Sequence, residues 1–162
     1  MRYISTRGGD FSCTASQAIL QGIAPNGGLL VPDHLPQLSE EDILSLRDLD
    51  YQARAVRILS EFLDDYTSEE IRESVAEAYD ELKFGENPAP LVRLNKYNAA
   101  EYMLELWHGP TAAFKDMALQ LLPRLMTAAS RKNGDGRRIC VLTATSGDTG
   151  KAALEGFKDV EG

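Results

Sequence analysis

Histidine and cysteine are scarce in this sequence, with two of each. Cys13 and Cys140 lie far apart and match no metal-ligand spacing, and neither histidine, His34 or His108, falls beside them. No metal centre is expected, and the thiols read as reduced and buried in a cytoplasmic protein. There is no apolar run of the roughly 18 residues that a membrane-spanning helix needs. The opening MRYISTRGGDF lacks the apolar core of a signal peptide. Basic charge is also short: 17 Lys and Arg stand against 25 Asp and Glu, a net charge of −8. Such a chain repels phosphate backbones, which argues against nucleic acid as a partner. Internal repeats and low-complexity segments are absent as well.

What remains is an ordinary globular composition, 43% hydrophobic and 26% charged over 162 residues. That is one domain's worth of core and short for a two-domain enzyme. Tyr3 to Ser5 reads as a short strand. Ala15 to Gly22 reads as a helix with Thr14 as N-cap, and Pro25-Asn26-Gly27-Gly28 as a turn, because Asn and Gly tolerate positive φ. Leu29 to Val31 reads as extended, closed by Pro32. Ser39-Glu-Glu-Asp42 and Thr67-Ser-Glu-Glu70 are capping-box starts. They open one helix through Leu46 and another carrying Ile71, Val75, Ala78, Tyr79 and Leu82. Between them, Tyr51 to Leu63 sets Ala55, Val56, Leu59, Phe62 and Leu63 on one helical face.

Gly85 to Pro90 reads as a linker, dividing an N-terminal region, 1–86, from a second, 87–162. In the second, Leu91 to Leu94 and Tyr102 to Trp107 read as strands and Met117 to Ala129 as a helix bent or broken by Pro123. A turn follows at Asn133 to Gly136. Ile139 to Thr143 reads as a strand buried on both faces, as in a parallel sheet. A last helix spans Thr149 to Lys158. Such a strand needs parallel neighbours reached by crossovers, and the chain reaches Gly162 where the next crossover would feed one. It reads as the front portion of something longer.

Three places offer chemistry. In HGPTAAFKD, His108 to Asp116, Lys115 sits at a helix mouth after an aromatic ring. The positive helix end and an apolar setting both favour the free amine, the form in which lysine makes Schiff bases with carbonyls. The competing reading is a snorkelling surface lysine. The stretch Thr143 to Gly150 joins a strand to a helix through small residues. Its backbone N–H groups, with the hydroxyls of Ser146 and Thr149, suit an anion such as a phosphate or a carboxylate. An ordinary strand-to-helix turn is the alternative. The GDTGK within it is not a nucleotide-binding loop, which requires glycine at 145 and Ser or Thr at 152, where Thr145 and Ala152 stand. His108 ends a strand, where ligands of α/β proteins collect, but a lone histidine also serves as a structural hydrogen bonder.

Together these phrases resemble a known family. HGPTAAFKD and TATSGDTG, with STRGG at 5–9 and GIAPNGGLLVP at 22–32, are similar to threonine synthases, fold-type II pyridoxal-phosphate enzymes. The likeness runs over nearly the whole chain but only about the first third of the family. It implies an N-terminal helical and short-strand region followed by the start of a three-layer parallel-sheet cofactor domain. It also implies conversion of O-phospho-L-homoserine and water to L-threonine and phosphate. By resemblance, Lys115 holds the cofactor covalently and Phe114 lies beside it. His108 and Thr111 belong to the active-site segment. Thr145, Ser146, Gly147, Asp148 and Thr149 form the loop near the cofactor and the substrate carboxylate. Some relatives place Asn at 148, where its amide meets the cofactor's phenolic oxygen; an ionised Asp148 would repel that oxygen unless protonated or turned away. Ala112 and Lys151 also depart from the usual pattern, standing for a bulkier and a smaller residue. A related fold-type II lyase or dehydratase, and a non-catalytic fragment or binding module, are the alternatives. The family's glycine-rich loop for the cofactor phosphate, and its partner for the pyridine nitrogen, are not found in these 162 residues. Weak or absent cofactor binding, no turnover and self-association of an incomplete sheet are therefore expected of this chain.

Overall fold

The computed structural model describes residues 1–94, 100–134 and 136–162. Strands β1 (Tyr3–Ser5), β2 (Ser12–Cys13) and β3 (Leu30–Pro32) form an antiparallel sheet in the order β2-β1-β3, with Tyr3 opposite Cys13 and Ile4 opposite Val31. Between β2 and β3 lies α1 (Ala15–Gln21), closed at its start by a reciprocal Thr14–Gln17 capping box and at its end by Gly22 at φ 69°. The 25–28 turn is built by Asn26, whose Oδ1 accepts the Gly28 N–H at 3.1 Å.

The next helices start where their caps predict. Ser39 and Thr67 make capping boxes for α2 (Glu40–Ser45) and α4 (Ser68–Ala78), and Asp50 caps α3 (Tyr51–Phe62). Each such cap is worth about 1 kcal/mol. α4 is shorter than its apolar pattern implies. Tyr79 leaves helical geometry at φ −108°, ψ 47°, and Asp80 starts a separate turn, α5 (Glu81–Phe84). That break changes the phase, so Leu82 is 97% exposed and does not join the α4 face. Ile71, Val75, Ala78 and Tyr79 are buried as expected and meet Leu121, Leu125 and Ala129 in a core shared with Ala15, Leu63 and Phe84. Two tyrosines stitch this core with their hydroxyls: Tyr66 donates to the Leu125 carbonyl at 3.0 Å and Tyr79 to the Met117 carbonyl at 2.7 Å. Burial raises both phenol pKa values, so both remain donors.

Strands β4 (Leu91–Arg93) and β5 (Tyr102–Leu104) pair antiparallel, and β5 stops three residues short of Trp107. The 117–129 helix is two helices, α6 (Asp116–Leu119) and α7 (Leu122–Asn133), with Pro123 in the first turn of α7. Proline has no N–H for the Leu119 carbonyl, and it is tolerated at a helix start where no such bond is required. The expected turn at 133–136 includes Asp135, which lies outside the described residues; Gly134 ends α7 in the left-handed conformation at φ 66°. The last helix is α8 (Asp148–Phe157).

The buried parallel strand expected at 139–143 is not formed. Among the described residues all strand pairing is antiparallel. Ile139 donates its N–H to the Gly162 carbonyl at 2.8 Å, Cys140 is exposed and Leu142 is 95% exposed. An apolar run becomes a central strand only with a partner at each edge and a layer on each face, and no described strand lies beside this one. The buried-thiol expectation therefore holds for Cys13 alone. No helix among the described residues is long and apolar enough to cross a membrane.

Two further contacts fix the packing, one between the N-terminal region and α7 and one within the second region. Asn133 at the end of α7 donates to Ser16 Oγ at 2.9 Å, and Ser16 donates to Asp65 Oδ2 at 2.6 Å. Burial works to raise the Asp65 pKa, but the hydrogen bonds from Ser16 and Thr14 outweigh it and hold the carboxyl below its usual range. A depressed folded-state pKa gives stability that is present above the unfolded pKa and is lost as pH falls through the folded value. Asp65→Asn should cost about 1–2 kcal/mol at neutral pH, and its deficit from wild type should shrink below about pH 4; urea unfolding at both pH values measures this. The second contact is α8 on the α6–α7 joint. A Cβ built on Gly156 would lie 2.0 Å from the Leu119 carbonyl oxygen. Gly156→Ala should therefore lower stability by about 1–3 kcal/mol in thermal unfolding.

Candidate active site

Lys115 is the N-cap residue of α6, and α6 is a single turn. A helix this short adds little macrodipole, so what distinguishes Lys115 is its surroundings. Its ammonium nitrogen lies 4.3 Å from the centroid of the Phe114 ring. Both residues line an apolar hollow of about 720 Å³, walled by Tyr51 of α3, Leu104 of β5, Leu106, Met117 of α6 and Thr149 of α8. Tyr51 is held edge-on to Tyr79 with ring centroids 5.0 Å apart, so the hollow is backed by the main core. The structure thus brings Lys115, Phe114 and Thr149 together from two separate motifs.

The 108–116 segment is organised from within. Thr111 donates its N–H to Asp116 Oδ2 at 2.8 Å and its hydroxyl to Asp116 Oδ1 at 2.7 Å. Thr111 is buried and its hydroxyl is thereby occupied. Ala112, next along, has φ 55°, a left-handed conformation that costs an L-residue about 1–2 kcal/mol. Lys151, on α8, donates to the Thr111 carbonyl at 3.3 Å and ties the two motifs together. His108 lies outside the hollow. Its Nε2 pairs with Glu105 Oε2 at 2.7 Å and its ring stacks on Trp107.

In the second loop Thr145 has a backbone role. Its Oγ1 accepts the N–H groups of Gly147 at 3.2 Å and Gly150 at 2.9 Å. Gly147 sits at φ 142°, which favours glycine, and a Cβ on Gly150 would press to 2.8 Å from Thr145 Oγ1. The N–H groups of Asp148 and Thr149, in the first turn of α8, have no acceptor among the described residues. Asp148 stands where a helix N-terminus favours negative charge. Ser146 and Asp148 are exposed and do not line the hollow.

A model of the family described as threonine synthase N terminus matches residues 2–79. Beyond that region the likeness continues through both motifs. A threonine synthase of Pseudomonas aeruginosa is 42% identical over 158 residues, covering 98% of this chain and 33% of that protein. The chain belongs to the threonine synthase family. A pyridoxal-phosphate-bound threonine synthase from Brucella melitensis superimposes with TM-score 0.90 at 39% identity, over 99% of this chain and 34% of that one. The yeast threonine synthase does so with TM-score 0.89 at 30% identity, over 99% and 33%. The chain thus spans about a third of the length of the threonine synthases it matches.

Residue-by-residue reading missed three parts of this site. Asp116 was visible only as the residue after Lys115, and nothing local marks its carboxylate as buried. Glu105 and Tyr51 reach the site through tertiary packing, with no motif of their own. Because Ala112 is held at positive φ, Ala112→Gly should hold or raise stability by up to about 1 kcal/mol. Ala112→Val should lower it by about 1–2 kcal/mol, since a β-branched residue is worse at positive φ; thermal melts of the two variants decide.

Proposed function

We propose that this chain carries the lysine-bearing part of a threonine synthase active site, for conversion of O-phospho-L-homoserine and water to L-threonine and phosphate. What carries this reading is Lys115 at the wall of an apolar hollow beside Phe114 and Thr149, in a chain of this family. The residues present suit pyridoxal phosphate. A primary amine faces apolar walls able to take a flat ring, and unsatisfied N–H groups at the mouth of α8 suit an anion. When bound, the cofactor supplies an electron sink for charge developing on the substrate.

Lys115 is the covalent attachment point for the cofactor aldehyde, and once freed its amine moves protons at the substrate α and β carbons. Phe114 supplies an aromatic face. The Asp148 and Thr149 amides, with the hydroxyls of Ser146 and Thr149, hold the substrate carboxylate. Gly147 and Thr145 shape that loop. His108, oriented by Glu105, and Thr111 frame the lysine segment, and Asp148, exposed outside the hollow, contributes its N–H to the loop. In this reading residues 1–86 form the N-terminal region and 87–162 begin the fold-type II cofactor domain. The protein works in the cytoplasm, as a carbon–oxygen lyase in its complete form. Alone, this chain holds the cofactor weakly, does not turn over, and self-associates through the exposed Leu91, Tyr102, Leu104 and Leu142.

Mixing the chain with excess pyridoxal phosphate should give a visible band near roughly 410–420 nm that borohydride bleaches, leaving a pyridoxyl group on Lys115. In Lys115→Ala both the band and the mapped adduct should be lost. Equal labelling of all lysines, or a band unchanged in Lys115→Ala, would sink the reading.

A further inference from the structure

Asp116 is the one buried acidic residue among the described residues, with 0% exposure. Both oxygens of its carboxylate go to a single neighbour, Thr111, one to its N–H at 2.8 Å and one to its hydroxyl at 2.7 Å. Gly109 makes room for this. A Cβ there would lie 2.4 Å from the Asp116 Cβ, so the carboxylate seats directly on the loop backbone. The four residues between Thr111 and Asp116 must then close a tight turn, and Ala112 enters the left-handed region to do so. Lys115 is the last of those four. Its direction into the hollow is set by the closure on one side and by the Leu119 N–H, which donates to the Lys115 carbonyl at 2.9 Å, on the other.

We propose that Asp116 is a positioning residue: its buried carboxylate grips Thr111 and thereby aims the Lys115 amine into the apolar hollow. The inference rests on the reading of Lys115 as a carbonyl-reactive amine. A role in stability alone would lower the melting temperature of a variant without changing which lysine reacts in the folded protein. A positioning role changes the selectivity itself.

The test uses the whole chain as wild type, Asp116→Asn, Thr111→Val and the double variant, each held well below its melting temperature and checked by circular dichroism. Two probes are applied separately: butanal with cyanoborohydride, and pyridoxal phosphate with borohydride. In each, the amine adds to the aldehyde carbon, water leaves as the C=N bond forms, and hydride from the boron reagent reduces it to a secondary amine. Peptide mapping gives labelling at Lys115 relative to Lys132 and Lys158. The wild type should favour Lys115. Asp116→Asn should reduce that ratio about tenfold or more, the scale expected when a reacting group is misplaced. Thr111→Val, which removes the hydroxyl donor but leaves the N–H bond, should reduce it by a smaller factor, with the double variant falling short of the product of the singles because the two residues share one contact. If Asp116→Asn fails to fold, Thr111→Val carries the same decision. Folded variants that keep the wild-type ratio would overturn the inference, as would a wild type in which neither probe favours Lys115. A wild type in which butanal favours Lys115 but pyridoxal phosphate does not would count against the cofactor reading alone, and the butanal ratios would still judge Asp116.

Discussion

Pro123 has no N–H, and much of the second half of the structure follows from that missing donor. The helix that the apolar pattern of 117–129 suggests cannot run through it, so the chain makes one turn of α6 and then starts α7. Two carbonyls lie at the break. Gln120 O is taken by the Arg124 guanidinium at 2.7 Å, and the same nitrogen donates to Gly156 O on α8 at 3.0 Å. Leu119 O is covered by Gly156, which comes so close that no Cβ would fit. The broken helix is thus repaired from outside, by a side chain and by a neighbouring helix, and the repair is what fixes α8 in place.

That placement matters for the site because α8 brings the second motif with it. Its first turn delivers Thr149 to the hollow that holds Lys115, and Lys151 reaches back to the Thr111 carbonyl. A straight helix through 117–129 would leave the α8 packing surface at Leu119 and Gln120 occupied by its own hydrogen bonds. The wall on the other side comes from the N-terminal region, where Tyr51 packs edge-on against Tyr79 and the Tyr79 hydroxyl donates to the Met117 carbonyl. The hollow is therefore a product of three regions distant in sequence, joined by aromatic contacts and carbonyl-directed hydrogen bonds.

Local chemistry made the helix starts legible. Thr14, Ser39 and Thr67 each offer a side-chain oxygen to an otherwise unpaired N–H, and that bond is settled within four residues. The same locality explains Gly22 and the Asn26 turn. Legibility failed where a decision depended on partners. Leu82 continues the apolar spacing of α4 perfectly well, yet the helix ends before it and the residue faces solvent. The run 139–143 has the composition of a central strand but no described strand beside it, and composition cannot supply an edge partner. Pro123 was recognisable as a disruption, while its outcome as a new helix start was settled by packing.

By itself the sequence determined the caps, the turns, the two motifs and the family they resemble, because these rest on residue identity at short, fixed spacing. Only the tertiary structure decided that Lys115 shares a hollow with Thr149, that Thr111 spends both its donors on Asp116, and that His108 answers to Glu105 outside that hollow. Those facts depend on which buried polar groups find partners when separate segments meet, and an unpaired group in the interior costs more than any local preference can offset.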